Sequence, residues 1–327
     1  MKRHFAVVIS FGLLLALSVP VFAELADGVW IHYSGCLRGS VDPCGCKIPA
    51  GGIAKRIGEI ATMQKVAGSD LHFYVDAGEW RDLADPVDGN ARTAALLASM
   101  KVGPLAAVNV SLRDLMLGRK LLDSLAFSDS IPFVSANLRI DSNNAPLYPP
   151  YRFGTGNLRG KSIKVAFVGL TDPSYTRISN QREGIIALDW NLLLKDILTD
   201  LKSQKADAII LLTDAAPKRL DSLLAGLTGF QLVISSSPVW QMMKINERPY
   251  GYVVTAVPQG KNWEAVKFQE TGLLPWLYTG RELTSNVPEQ PVVAQLITDR
   301  KKAFVRQPVK LPDTDSLKAT TLKPAGK

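Results

Sequence analysis

Histidine is scarce in this chain: His4, His32 and His72 are all that its 327 residues hold. Cysteine is as scarce, and Cys36, Cys44 and Cys46 fall within one short stretch. Three is an odd number, so at least one thiol stays free, binds a metal or pairs outside the chain. No Cys-x-x-Cys-His occurs, which excludes covalent haem attachment. Beyond the N-terminus no segment approaches the roughly 20 apolar residues of a membrane span. Basic residues do not cluster with aromatics, so nucleic acid is not an expected partner. The net charge of +8, which falls to +6 without Lys2 and Arg3, is spread along the chain. There is no internal repeat.

The N-terminus is charged at Met1 to His4 and apolar over 5–17, and Val21-Phe22-Ala23 places small residues before Glu24. That pattern marks 1–23 as a signal peptide, with an uncleaved anchor as the alternative. The expectation is a periplasmic or secreted protein with no stable membrane span after cleavage. Residues 24–306 are read as one domain, and 307–327, rich in Pro, Lys and Thr, as a flexible tail.

Within the domain, apolar runs rich in β-formers alternate with helical periodicity. Strands are expected at 28–33, 71–75, 106–110, 131–138, 163–170, 208–213 and 232–235. Helices are expected near 53–64, 93–100, 113–125, 190–203 and 220–227. Continuously apolar strands between helices imply sheets covered on their faces. Segments 252–257 and 265–268 read as a closing antiparallel pair with Gly260 in the turn. The fold class is α/β, a four-layer α-β-β-α sandwich. Trp190, Trp240, Trp263 and Trp276 are expected in the core or at its rim.

The strand ends resemble a known family. Val75-Asp76-Ala77-Gly78-Glu79 sits where it has a D-x-G-D loop, and Ser111-Leu112-Arg113-Asp114 where it has Gly-Asn-His-Glu. Phe133 to Leu138, Val165 to Thr171, the Gly51-Gly52 helix start and "GRELTSNVPEQPVVAQLI" match further blocks. The chain thus resembles the calcineurin-like metallophosphoesterases, in particular the N-terminal domain of periplasmic 5′-nucleotidases and UDP-sugar hydrolases. It looks like a degenerate branch containing Cys-Gly-Cys.

The resemblance implies two metal ions at the strand ends, bridged by an aspartate, that polarise a phosphoryl group and supply a bound hydroxide. The ligand motifs depart from that pattern. The Asp-x-His loop reads Ser34-Gly35-Cys36, the ligating strand ends Thr213-Asp214, and Gly-His-x-His falls on Ser235 to Val239. Asp76, Glu79, Asp114 and Asp214 remain as carboxylates able to hold a hard cation or to cap helices. Arg113, in a ligand's place, is expected to pair with Asp76. Gly51 and Gly52 form a possible phosphate loop at a helix start.

The cysteines replace the first ligand motif, at the edge where open α/β folds bind ligands. Their Cys-x7-Cys-x-Cys spacing leaves three readings open. One is a disulfide from Cys36 to Cys44 or Cys46. Another is a three-thiolate site for one zinc, copper or iron ion. The third is a redox-active Cys44-Gly45-Cys46 pair next to Lys47. The leading expectation is a non-hydrolytic metal-binding or thiol-redox module with an envelope electron-transfer or thiol partner. The alternatives are a 5′-nucleotidase-like hydrolase with a rebuilt metal site, and a scaffold with a stapled loop.

Overall fold

A computed structural model of the chain describes residues 27–83, 86–116, 118–128, 130–175, 184–237, 245–269 and 273–305. Residues 1–26, where a signal peptide is expected, residues 306–327, where a tail is expected, and the stretch 238–244 with Trp240 therefore lie outside the described residues. Fifteen strands are formed among them. Those that position the strand-end residues are β1 (Gly28–Ser34), β2 (Leu71–Asp76), β3 (Leu105–Asn109) and β4 (Phe133–Val134). The short β5 (Leu138–Ile140), β6 (Ala145–Pro146) and β9 (Ile185–Ala187) make a small separate sheet. The second half supplies β7 (Tyr151–Leu158), β8 (Lys161–Leu170), β10 (Ala208–Thr213) and β11 (Leu232–Ser235). It also supplies β12 (Asn246–Arg248), β13 (Gly251–Thr255), β14 (Asn262–Gln269) and β15 (Pro275–Glu282).

Two six-stranded sheets run β15-β14-β1-β2-β3-β4 and β12-β13-β11-β10-β8-β7. The neighbours of β2 and of β10 are parallel to them, so the ends of these strands share one edge. Val29, Ile31 and Tyr33 of β1 meet Val165 and Phe167 of β8, Ile210 and Leu212 of β10 and Ile234 of β11 in a core between the sheets. That alternation fixes register, because a one-residue slip would turn the apolar set outward.

Helices cover both outer faces. Helices α1 (Ile53–Val66), α2 (Pro86–Met100), α4 (Lys120–Ser128) and α7 (Pro291–Val305) bury Ile57, Leu96, Leu125 and Val293 against the first sheet. The one-turn α3 (Leu112–Leu115) follows β3. Helix α5 (Trp190–Ser203) is capped by Asp189, and it and α6 (Pro217–Leu223) bury Trp190, Leu194, Leu198 and Leu220 against the second sheet. The four layers are those expected, and Trp190 and Trp263 are buried as expected. No helix among the described residues is long and apolar enough to cross a membrane.

One expected pairing is corrected. Segments 252–257 and 265–268 do not form a hairpin: β13 pairs with β11 and β12 in one sheet, and β14 with β1 and β15 in the other. The turn Pro258–Gly260 carries the chain between sheets, and its Gln259 amide donates to the Cys36 carbonyl. Alternation shows that a strand is half-buried, not which sheet it joins.

Candidate functional site

The parallel strand ends deliver Ser34, Asp76, Asn109, Thr213 and Ser235 to a common edge, all buried. Gly35 follows β1 where the two sheets meet: a Cβ there would lie 2.6 Å from the Ser236 Cβ and 2.9 Å from its Cα. The loops after β1 and β2 zip together, with the amides of Cys36, Arg38 and Gly39 donating to the carbonyls of Gly78, Glu79 and Trp80.

Three non-glycine residues in these loops are left-handed, Cys36 (φ 53°), Arg38 (φ 49°) and Glu79 (φ 58°). Such backbone costs about 1 kcal/mol or more per residue and persists only where its surroundings enforce it. Here the side chains of all three converge on one atom. Arg38 Nη2 reaches Glu79 Oε2 at 2.8 Å, Arg38 Nε at 3.2 Å, and the Cys36 thiol donates to it at 3.5 Å. Burial, reinforced by the Glu79 carboxylate, pushes the Cys36 thiol up to about 12. It is a protonated thiol at neutral pH.

The other strand-end carboxylates are engaged as well. Asp76 accepts from Ser34 Oγ at 2.5 Å and from the Gly78 amide at 2.9 Å. Ser34 in turn meets the Tyr74 hydroxyl at 2.7 Å, so Tyr74 is the donor of that pair. Burial raises Asp76 to about 7 against the opposing pull of these hydrogen bonds. Asp114 Oδ2 accepts from the Ser111 amide, the Ser111 hydroxyl and the Glu79 amide at 2.9, 2.6 and 3.0 Å. Its Oδ1 accepts from the Arg81 amide at 2.9 Å. The result is a capping box on α3, signalled in the sequence by Ser111-x-x-Asp114. Burial raises Asp114 to about 6. Asp214 accepts from the Asp172 amide at 2.7 Å, and burial holds it well above the usual carboxylate range, helped by the charges of Asp172, Glu79 and Asp114.

Arg113 does not pair with Asp76. Among the described residues it makes no ion pair, and its Nε is buried without a hydrogen-bond partner. The cation that meets a motif carboxylate is Arg38, which sequence reasoning passed over because no motif position falls on it. Asp172, ion-paired with Arg219, was passed over for the same reason. Gly51 (φ 90°) and Gly52 (φ 94°) make the tight entry to α1, Gly52 against the Pro43 ring. The Gly51 and Ile53 amides donate to Leu283 and Val41 carbonyls, so two donors that a phosphate loop would offer are spent internally.

The cysteines divide two and one. Cys44 and Cys46 form a disulfide, with Cα atoms 5.3 Å apart, and Cys36 is a buried free thiol. Pairing of Cys36 with Cys44 or Cys46, and a site of all three thiolates, are thereby corrected: Cys36 turns inward to Glu79 while the other two sit on a hairpin. Pro43 bridges Gly51 at its base, the Cys44 amide donates to the Ala50 carbonyl, and residues 45–49 are exposed. Among the described residues no three His, Cys, Asp or Glu side chains are grouped so as to hold a metal ion. His32 and His72 lie within the first sheet, hydrogen-bonded to each other at 3.0 Å.

No family model and no curated protein sequence matches the chain. Solved structures do. The sulfate thiohydrolase SoxB of Thermus thermophilus, in complex with glycerol, superposes with a TM-score of 0.71 at 15% identity, over 85% of this chain and 61% of that one. A 5′-nucleotidase precursor, also from Thermus thermophilus, gives 0.68 at 19% identity, over 85% and 59%. The calcineurin-like phosphoesterase YfkN from Bacillus subtilis gives 0.67 at 16% identity, over 86% and 98%. The chain spans about three fifths of the length of the first two. The fold is of the metallophosphoesterase, 5′-nucleotidase type.

Proposed function

We propose that the chain is an exported thiol-redox module on a metallophosphoesterase scaffold and does not hydrolyse phosphoesters through a dinuclear metal centre. The observation that carries the reading is the Cys44–Cys46 disulfide on an exposed hairpin after β1, the edge at which this class of fold does its chemistry. A bridge across one residue gains little from loop closure, which favours the longer loops. It is therefore less committed to stability than a staple and better suited to exchange.

The strand-end donors do not fit the implied pair of metals. Asp114 already accepts from four donors, three on Oδ2 and one on Oδ1. Glu79 is held by a guanidinium, Asp76 by a hydroxyl and an amide, and among the described residues no histidine lies at the edge. Cys36, buried and protonated, is not a partner for the disulfide. The scheme is a two-electron exchange in which the Cys44–Cys46 disulfide becomes two thiols while two thiols of a protein partner become a disulfide.

The test has two arms on the mature chain. Equilibration with reduced and oxidised dithiothreitol, read by thiol trapping, is expected to interconvert the two forms of the loop. Assay on 4-nitrophenyl phosphate with added Mn²⁺ is expected to give no turnover above background. Turnover that Asp76→Ala abolishes would refute the non-hydrolytic reading.

A further inference from the structure

The two sulfurs of the hairpin are not equivalent. Cys46 lies on the exposed tip, and Cys44 is half-buried at its base. The Ala50 amide donates to Cys44 Sγ at 3.5 Å while the Cys44 amide returns a bond to the Ala50 carbonyl at 2.9 Å. An amide aimed at sulfur stabilises the thiolate over the thiol, and the lower-pKa thiol is the better leaving group. Among the described residues Cys46 has no such donor, and nothing lies within 4 Å of the position a Gly45 Cβ would take, so its side of the bridge is open. Next to it, Lys47 brings a positive charge, and Ile48 is 70% exposed on the same tip.

Resting on the redox reading above, we infer that Cys46 is the sulfur a partner attacks, that Cys44 is the one that leaves, and that the partner is a protein dithiol with an apolar residue beside its cysteine. The partner's thiolate attacks Cys46 Sγ in line with the bridge. The Cys44–Cys46 bond breaks, a bond from the partner's sulfur to Cys46 forms, and Cys44 departs as a thiolate beside the Ala50 amide, later taking a proton from water. The partner's second thiolate then attacks its own bound sulfur and releases Cys46 as a thiolate. Two electrons have moved from the partner to the loop, and the partner holds a new disulfide. Ile48 is the apolar contact for such a segment, a contact that a small hydrophilic thiol would not use.

The experiment compares Cys44→Ser and Cys46→Ser in the full mature chain, each reacted in reduced form with a Leu-Cys-Leu peptide activated as a 2-thiopyridine disulfide. Mass spectrometry reads the rate of adduct formation. At pH 9.5, above the ordinary thiol value of about 8.5, access rather than thiolate fraction sets the rate, and Cys44→Ser, which retains Cys46 on the exposed tip, is expected to form the adduct about tenfold faster than Cys46→Ser. Equal rates, or the reverse order, overturn the assignment of the two sulfurs. Ile48→Ser in the Cys44→Ser background is expected to slow the peptide severalfold and leave reaction with oxidised glutathione unchanged. An equal effect on both probes, or none on either, overturns the apolar protein partner. A loop that never interconverts in the dithiothreitol equilibration defeats the redox reading itself, so the two failures are told apart. All three substitutions lie on the hairpin outside the cores, and equal melting temperatures confirm that rates are compared between folded chains.

Discussion

Replacing Asp114 with alanine separates a structural carboxylate from a metal ligand. In the folded chain its two oxygens take four donors: three backbone amides, of Ser111, Glu79 and Arg81, and the Ser111 hydroxyl. The hydroxyl can rotate to another acceptor, but the amides are fixed by the loop and by α3. The Glu79 amide keeps the Ser111 hydroxyl, 3.2 Å away, as a second acceptor, so the Ser111 and Arg81 amides are the two left stranded. Each buried donor without an acceptor costs about 1–3 kcal/mol, so two give roughly 4 kcal/mol. The expected loss is therefore about 4 kcal/mol, a large share of the 5–15 kcal/mol that holds an ordinary domain. Urea unfolding at pH 7.5 with EDTA present measures it, and Asp114→Asn, which keeps one acceptor, should fall between. Added Mn²⁺ should leave the difference unchanged. A loss under 1 kcal/mol in EDTA, or one that appears only with Mn²⁺, would refute the assignment of this carboxylate to the backbone.

Two further outcomes follow from buried polar groups on the first sheet. Trp263 Nε1 donates to His32 Nδ1 at 3.1 Å, which makes His32 Nε2 the proton carrier toward His72 Nδ1, and His72 Nε2 the donor to the Ala67 carbonyl. Both rings are thus held neutral, and burial lowers both, His32 also through the charges of His72 and Arg56. A histidine lowered on folding contributes stability above its unfolded value of 6.5, and that contribution is lost as pH falls below it. The loss is about 1.4 kcal/mol per pH unit for a ring that stays neutral when folded. Buried carboxylates such as Glu264, raised to about 7, act in the opposite sense, so the comparison is between the wild type and His32→Gln at pH 7.5 and pH 5. The destabilisation caused by the variant should shrink by roughly 2 kcal/mol at pH 5; identical slopes would refute the neutral chain. Lys267 and Asp70 are 2% and 3% exposed and lie 2.8 Å apart, with Gly28 N and Trp30 Nε1 also donating to Asp70. Lys267→Met should cost about 3–5 kcal/mol in urea unfolding by stranding that charge, and a cost under 1 kcal/mol would count against the pair.

The layers of the fold were legible because β10 and β11 are apolar at every position but their last, Thr213 and Ser235, and only strands covered on both faces read that way. Helix α5 was legible to its ends through the apolar spacing of Leu193, Ile197 and Leu201, while its cap, Asp189, went unread. The sheet membership of β13 and β14 was not, since Pro258–Gly260 looks like a hairpin turn in sequence and acts as a crossover between sheets. At the strand-end edge, the shortage of histidine was plain, and so was the concentration of thiols. Which carboxylate meets which cation was not. Arg38 and Glu79 lie 41 residues apart, and their contact depends on left-handed backbone that no residue type but glycine announces. The division of the cysteines was equally hidden, because it turns on Cys36 facing inward rather than on spacing.

The first described strand lies in the middle of its sheet, with β2 on one flank and β14 on the other, so that Gly28 stands opposite Gln269. Synthesis makes this strand before the other five of its sheet, yet one of its hydrogen-bonding edges has no partner until Gln269 has been made. The first sheet can therefore nucleate on β1, β2 and β3 but cannot close vectorially. Its completion is a late event that spans the chain, the kind that slows folding and leaves a strand edge open to wrong partners meanwhile. A truncation before β14 would thus not trim the margin of the sheet. It would leave its central strand with one side bare.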